Sequence, residues 1–121
     1  MRVGFMSRLP LTDVGQVRAS PVGLRPVQVD DTAAAVAVMG RAALRVRVHA
    51  SGRPPDLLSC HLKSKLLSFP GGRFSTDDEG ERARFGAYAL NRRAAEAVTV
   101  REAVTGLLAA GGAPGAGRGR R

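Results

Sequence analysis

Apolar and polar positions alternate most cleanly from Leu44 to Val48, with Leu44, Val46 and Val48 on one side and Arg45, Arg47 and His49 on the other. That period of two predicts a half-buried strand. Ser51-Gly52-Arg53-Pro54-Pro55 reads as a turn, and Leu58-Ser59-Cys60-His61-Leu62 alternates again, with Leu58, Cys60 and Leu62 on one face. Together the two runs predict an antiparallel hairpin. Its second strand sets Ser59, His61 and Lys63 on a common face. Pairing in simple register adds Arg45, Arg47 and His49 to that face as a cationic patch.

The chain before this hairpin is less regular. Val3-Gly4-Phe5-Met6 predicts a brief strand stopped by Ser7-Arg8-Leu9-Pro10, and loop structure is expected from there to about Pro26, where Pro21, Gly23 and Pro26 break any pattern. Val27-Gln28-Val29 alternates as a short strand. Ala33 to Met39 suits a helix through its alanines and a strand through Val36 and Val38, with Gly40 closing it.

After the loop Phe69-Pro70-Gly71-Gly72-Arg73-Phe74 the period changes to that of a helix. Thr76 is placed to cap it, Glu79 to reach back to the cap, and Asp77 and Asp78 to meet the positive end of the dipole. Ala83, Ala87, Leu90, Ala94, Ala97, Val100, Val104 and Leu107 recur in steps of three and four and predict the buried stripe. Gly111-Gly112 ends it. At 1.5 Å per residue the helix spans roughly 50 Å, and Gly80, Gly86 and Gly106 each weaken it by about 1 kcal/mol.

Composition narrows the class. In 121 residues, 44% are apolar and 24% charged, the balance of one small globular unit. The longest apolar run, Ala33 to Met39, is far short of the roughly 20 residues a membrane span needs. Arg8, Pro10 and Asp13 interrupt any hydrophobic region of a signal peptide, so a cytoplasmic location is expected. Cys60 is the single cysteine, which rules out an internal disulfide or a multi-cysteine zinc site. The net charge of +9 suggests polyanion partners. However, Arg118, Arg120 and Arg121 lie in the low-complexity ending Gly111 to Arg121, and without those three the charge is +6. That ending is expected to be a flexible linker.

The candidate chemistry centres on Ser59-Cys60-His61-Leu62-Lys63-Ser64-Lys65. A histidine where the chain leaves a sheet, followed by lysines, is suited to protonate or hydrogen-bond a phosphate oxygen while the lysines neutralise its charge. The same residues also read as a solvated basic turn. Cys60 alternates with His61 and is expected to be a buried thiol on the apolar face. His49 reads as an exposed strand residue, Gly71-Gly72 as a turn rather than a phosphate loop, and Asp77-Asp78-Glu79-Glu81 as helix capping rather than a metal site.

Several segments together are distinctive. They are Val3-Gly4-Phe5-Met6-Ser7-Arg8-Leu9-Pro10, Gly40-Arg41-Ala42-Ala43-Leu44, Cys60-His61-Leu62-Lys63-Ser64-Lys65, Phe69-Pro70-Gly71-Gly72-Arg73-Phe74 and Arg82-Ala83-Arg84-Phe85-Gly86-Ala87-Tyr88-Ala89-Leu90-Asn91-Arg92-Arg93-Ala94. This succession resembles bacterial members of the endonuclease/exonuclease/phosphatase superfamily, which have the deoxyribonuclease I-like fold. The resemblance implies an α/β (α+β) domain over residues 1–110, part of a four-layer sandwich of mainly antiparallel sheets with helices outside. It implies hydrolysis of phosphodiesters or phosphomonoesters, nucleic acid among them, with magnesium positioning water and stabilising charge. By the same resemblance His61 matches the histidine that approaches the scissile phosphate. Lys63 and Lys65 become phosphate contacts, and Arg41 a further candidate.

The family's Asn and metal-binding Glu on earlier strands, its Gly-Asp-x-Asn and its Ser-Asp-His have no counterpart in this sequence. The expectation is therefore a central portion of a metal-dependent phosphohydrolase, inactive alone and without its principal magnesium ligands. Two alternatives stand beside it. One is a noncatalytic nucleic-acid-binding module using Arg45, Arg47, Lys63, Lys65 and the Arg-rich ending; the other is a truncated product without independent function.

Overall fold

Leu11, Val14 and Val17 recur every third residue, a spacing that suits no strand, yet Leu11–Ala19 forms one. The reason is a bulge. Asp13 pairs with Val46 and Gly15 with Arg45, so Val14 is an extra residue that shifts the alternation between Leu11 and Val17. Part of the segment expected to be loop is thus the long edge strand β1. The computed structural model describes residues 3–49 and 55–111. In order, its elements are β1 (Leu11–Ala19), β2 (Val27–Gln28), β3 (Ala35–Val36), β4 (Val38–Val48), β5 (Asp56–Ser59) and α1 (Glu79–Gly111).

This is an α+β arrangement with two antiparallel sheets and one long helix. The larger sheet runs β1-β4-β5, and β2 pairs with β3 in a separate hairpin. The predicted strand at Val3–Met6 does not form, and Met6 is fully exposed. Gly40 does not close the preceding run; it lies inside β4. The expected turn at Ser51 to Pro55 and the Gly/Arg-rich ending from Gly112 fall almost wholly outside the described residues.

The hairpin forms with a different second strand. Leu44 pairs with Ser59, Arg45 with Leu58 and Arg47 with Asp56, and the ladder stops at Ser59. Opposed residues share a face. Ser59 therefore lies with Leu44, not with Arg45, and His61 and Lys63 are on no strand at all. The predicted cationic patch does not exist in that form. Asp56 sits opposite Arg47 and takes hydrogen bonds from Nε of both Arg47, at 2.8 Å, and Arg45, at 3.0 Å.

Helix α1 is capped two residues beyond the expected position. Asp78 is the capping residue, accepting the N–H of Glu81 at 3.1 Å, while Thr76 accepts the N–H of Asp78. Glu79 pairs with Arg82 instead of reaching back. The turn that delivers the chain to this cap needs its two glycines: Gly71 and Gly72 have φ of 82° and 74°, and Phe69 N–H bonds to Arg73 O across them.

The buried face of α1 is rotated from the apolar stripe. Phe85, Ala95, Glu96 and Thr99 are buried, whereas Ala83, Ala87, Leu90, Ala94 and Ala97 are exposed. Only Val100, Val104 and Leu107 of the predicted stripe are partly covered. Phe85 stacks between Phe69 and Tyr88, with ring centroids 5.2 Å apart in each pair. Tyr88 and Arg84 then hold the β2–β3 hairpin by bonding Asp31 at 2.7 Å and 2.9 Å. These bonds hold the Asp31 carboxyl below its ordinary range, Arg84 contributing most, and raise the Tyr88 phenol. Polar residues occupy the covered face because the helix meets backbone there, not only side chains.

Candidate functional site

The centre of that polar face is Glu96, 4% exposed. Its Oε1 accepts the backbone N–H of Lys63 at 2.6 Å and its Oε2 that of Gly40 at 3.0 Å. One carboxylate thus fastens β4 to the segment following β5. Arg93 completes the attachment by donating to Lys63 O at 2.8 Å. Lys63 belongs to no strand ladder, and the chain after Ser59 runs as a loop.

The loop, β4 and α1 enclose a cleft of about 290 Å³ whose wall includes Arg41, His61, Lys63, Ser64, Ser68 and Arg92. Gly40 makes room for Arg92, since a Cβ there would stand 2.9 Å from Arg92 Nη2. Arg92 Nε lies 3.8 Å from Glu96 Oε2, near enough for attraction but beyond hydrogen bonding. Arg92 Nε and Arg41 Nη1 are shielded from solvent, and neither has a hydrogen-bond partner among the described residues. A buried donor left unpaired costs about 1–3 kcal/mol, more when it belongs to a charged group. Two such donors in one cleft wall favour an anionic acceptor.

Of the sequence-predicted residues, the cleft brings together Arg41, His61 and Lys63. His61 is exposed at its mouth. Lys63 is half-buried, and its ammonium donates to the carbonyls of Leu66 at 2.6 Å and Ser64 at 3.3 Å. An ammonium has three N–H groups, so this anchoring leaves one for a ligand. Lys65 is exposed and lies outside the cleft wall. His49 is exposed and bonded to Thr12. Cys60 is exposed rather than buried, because the strand whose alternation would have turned it inward stops one residue before it.

Arg92, Glu96 and Gly40 were not predicted. Arg92 and Glu96 are four apart on a helix, a spacing that ordinarily marks an exposed ion pair. No local pattern distinguishes this pair from such a surface bridge, because the groups that Glu96 holds are backbone N–H groups 33 and 56 residues away.

Magnesium, which the resemblance implies, does not fit the residues of this cleft. Glu96 is its one carboxylate, and both oxygens already hold backbone N–H groups beside a guanidinium. Among the described residues no three His, Cys, Asp or Glu side chains gather as a metal-ligand set. Of the residues named for a nucleic-acid-binding module, Arg47 and Arg45 are both paired with Asp56 and together hold its carboxyl down to about 2. Among the described residues no helix is long and apolar enough to cross a membrane. No protein-family model, curated protein or solved structure matches the chain.

Proposed function

We propose that the cleft binds the phosphate of a phosphate ester, as the recognition part of a phosphohydrolase of the type the sequence resembles. What carries this reading is the gathering of two guanidinium groups, Arg41 and Arg92, each with a nitrogen that no acceptor among the described residues satisfies, in the wall that also holds His61 and Lys63. Guanidinium groups suit phosphate because their N–H donors match its oxygens in spacing and charge. In this role Arg41 and Arg92 hold two oxygens, Lys63 adds a third donor, and exposed His61 meets the ester oxygen, where an imidazole donates a hydrogen bond or a proton. Glu96 fastens the backbone of Lys63 and of Gly40, the residue before Arg41, lies beside Arg92, and touches no substrate.

Water activation lies outside this set of residues. The four-layer deoxyribonuclease I-like sandwich and its magnesium chemistry belong to the same reading as properties of a complete domain of that type. The test is titration of the full chain with phenyl phosphate, followed by calorimetry and by the His61 ring signals in NMR. Saturable binding that shifts His61 and is lost in Arg41→Gln supports the reading. Absence of saturable binding would sink it. A parallel assay with magnesium and a chromogenic phosphate ester is expected to show background turnover only, and robust turnover abolished by His61→Ala would replace a recognition cleft with a complete enzyme.

A further inference from the structure

The charges around the cleft specify which phosphate ester fits. Arg41, Lys63 and Arg92 supply three positive charges, and Glu96 supplies one negative charge buried among them. The remainder is a double positive charge. A terminal phosphate carries close to two negative charges at pH 7 and above, whereas an internal phosphodiester carries one. Resting on the phosphate-ester reading, we infer that the cleft selects the dianionic terminal phosphate of a small phosphomonoester over an internal phosphodiester.

Size limits the rest of the ligand. A volume of about 290 Å³ falls at the lower edge of ligand pockets, which run from roughly 300 to 1,000 Å³. It accommodates a phosphate and a sugar-sized or single-ring group. The donors also count in favour of a terminal phosphate. The guanidinium groups of Arg41 and Arg92, the remaining Lys63 N–H and His61 line the cleft from β4, α1 and the loop, and a terminal phosphate presents three unesterified oxygens to them where a diester presents two.

The full-length, unaltered chain is titrated at pH 8 with phenyl phosphate, methyl phenyl phosphate, glycerol phosphate and a short oligonucleotide with and without a 5′-phosphate. Phenyl phosphate and glycerol phosphate are expected to bind at least about tenfold more tightly than methyl phenyl phosphate, one charge-assisted hydrogen bond being worth that factor. Arg92→Lys, which keeps the charge but loses the planar fork, is expected to narrow the preference. Equal affinity for phenyl phosphate and methyl phenyl phosphate overturns the selectivity while leaving the phosphate-ester reading intact. An oligonucleotide that binds more tightly than the small monoesters, whether or not it bears a 5′-phosphate, overturns it as well. If none of the ligands binds, the underlying reading falls and the selectivity falls with it.

Discussion

Glu96 accepts the backbone N–H of Lys63 at 2.6 Å, so a residue in the middle of the long helix fixes a loop residue 33 positions earlier in the chain. The same carboxylate holds Gly40 in β4. The cleft is therefore built around a side chain that is buried and faces backbone. The proposed phosphate site and the stability of this junction share one origin.

Replacing Glu96 separates that shared origin into two readouts. Glu96→Ala leaves the N–H groups of Gly40 and Lys63 without acceptors, at a cost of about 1–3 kcal/mol for each that stays buried. Glu96→Gln keeps the shape and one acceptor, and about half the loss is expected. Denaturant unfolding at constant slope measures both. In the Gln variant, which remains folded, phosphate affinity is expected to drop because Arg41 and His61 are no longer held in register.

Gly40→Ala addresses Arg92 instead. The added Cβ meets the tip of a flexible side chain, so the guanidinium moves aside and stability changes little, by about 1 kcal/mol or less. Phosphate affinity falls by more, since Arg92 is displaced from the cleft. A variant with unchanged affinity would show that the position of Arg92 is immaterial to binding.

How much of this was legible follows from what each segment bonds to. The start of helix α1 was legible to within two residues, Thr76 being expected as the cap that Asp78 provides, because capping is local chemistry. Its buried face was not, because an apolar stripe can be read only where the helix packs on side chains, and here Glu96 and Thr99 are buried. The alternation at Leu44–Val48 predicted the C-terminal half of β4, and Val46 and Val48 are buried as expected. Strand β1 was hidden by its bulge at Val14, which converts a period of two into a period of three. His61 and Lys63 stood out as a histidine followed by lysines, Arg41 was named through a resemblance, and these three line the cleft while Lys65 does not; Arg92 and Glu96 depend on contacts too distant in sequence to leave a trace.

The turn between β2 and β3 offers a gain in stability. Ala33 has φ of 66°, a left-handed conformation that costs a residue with a Cβ about 1 kcal/mol or more. Asp30 Oδ1 holds the turn by accepting the Thr32 N–H at 2.8 Å and hydroxyl at 2.6 Å, so the backbone cannot relax to relieve it. Ala33→Gly removes the strain and adds freedom to the unfolded chain, with opposing effects of similar size. The strain is the larger, and a net stabilisation of about 0.5 kcal/mol is expected from thermal or denaturant unfolding.

Asp56 predicts a dependence on acid. Arg47 first, and Arg45 with it, lower its carboxyl from 3.8 to about 2. A carboxyl depressed by folding binds fewer protons in the folded chain than in the unfolded one, so its stabilisation is present above 3.8 and disappears as the pH falls through about 2. Asp56→Asn is expected to be less stable than the unaltered chain at pH 7, with the gap closing across that window. A gap that stays constant down to pH 2 would mean that neither arginine supports the folded state through this carboxyl. The substitution also releases Arg45 and Arg47 on the β4–β5 surface. Binding of the variant to duplex DNA is therefore expected to strengthen and to depend more steeply on salt, by up to about two further counterions released. That gain is independent of the cleft, so phenyl phosphate affinity is expected to stay unchanged while DNA affinity rises. A parallel rise in both would mean that Asp56 influences the cleft electrostatically through β4.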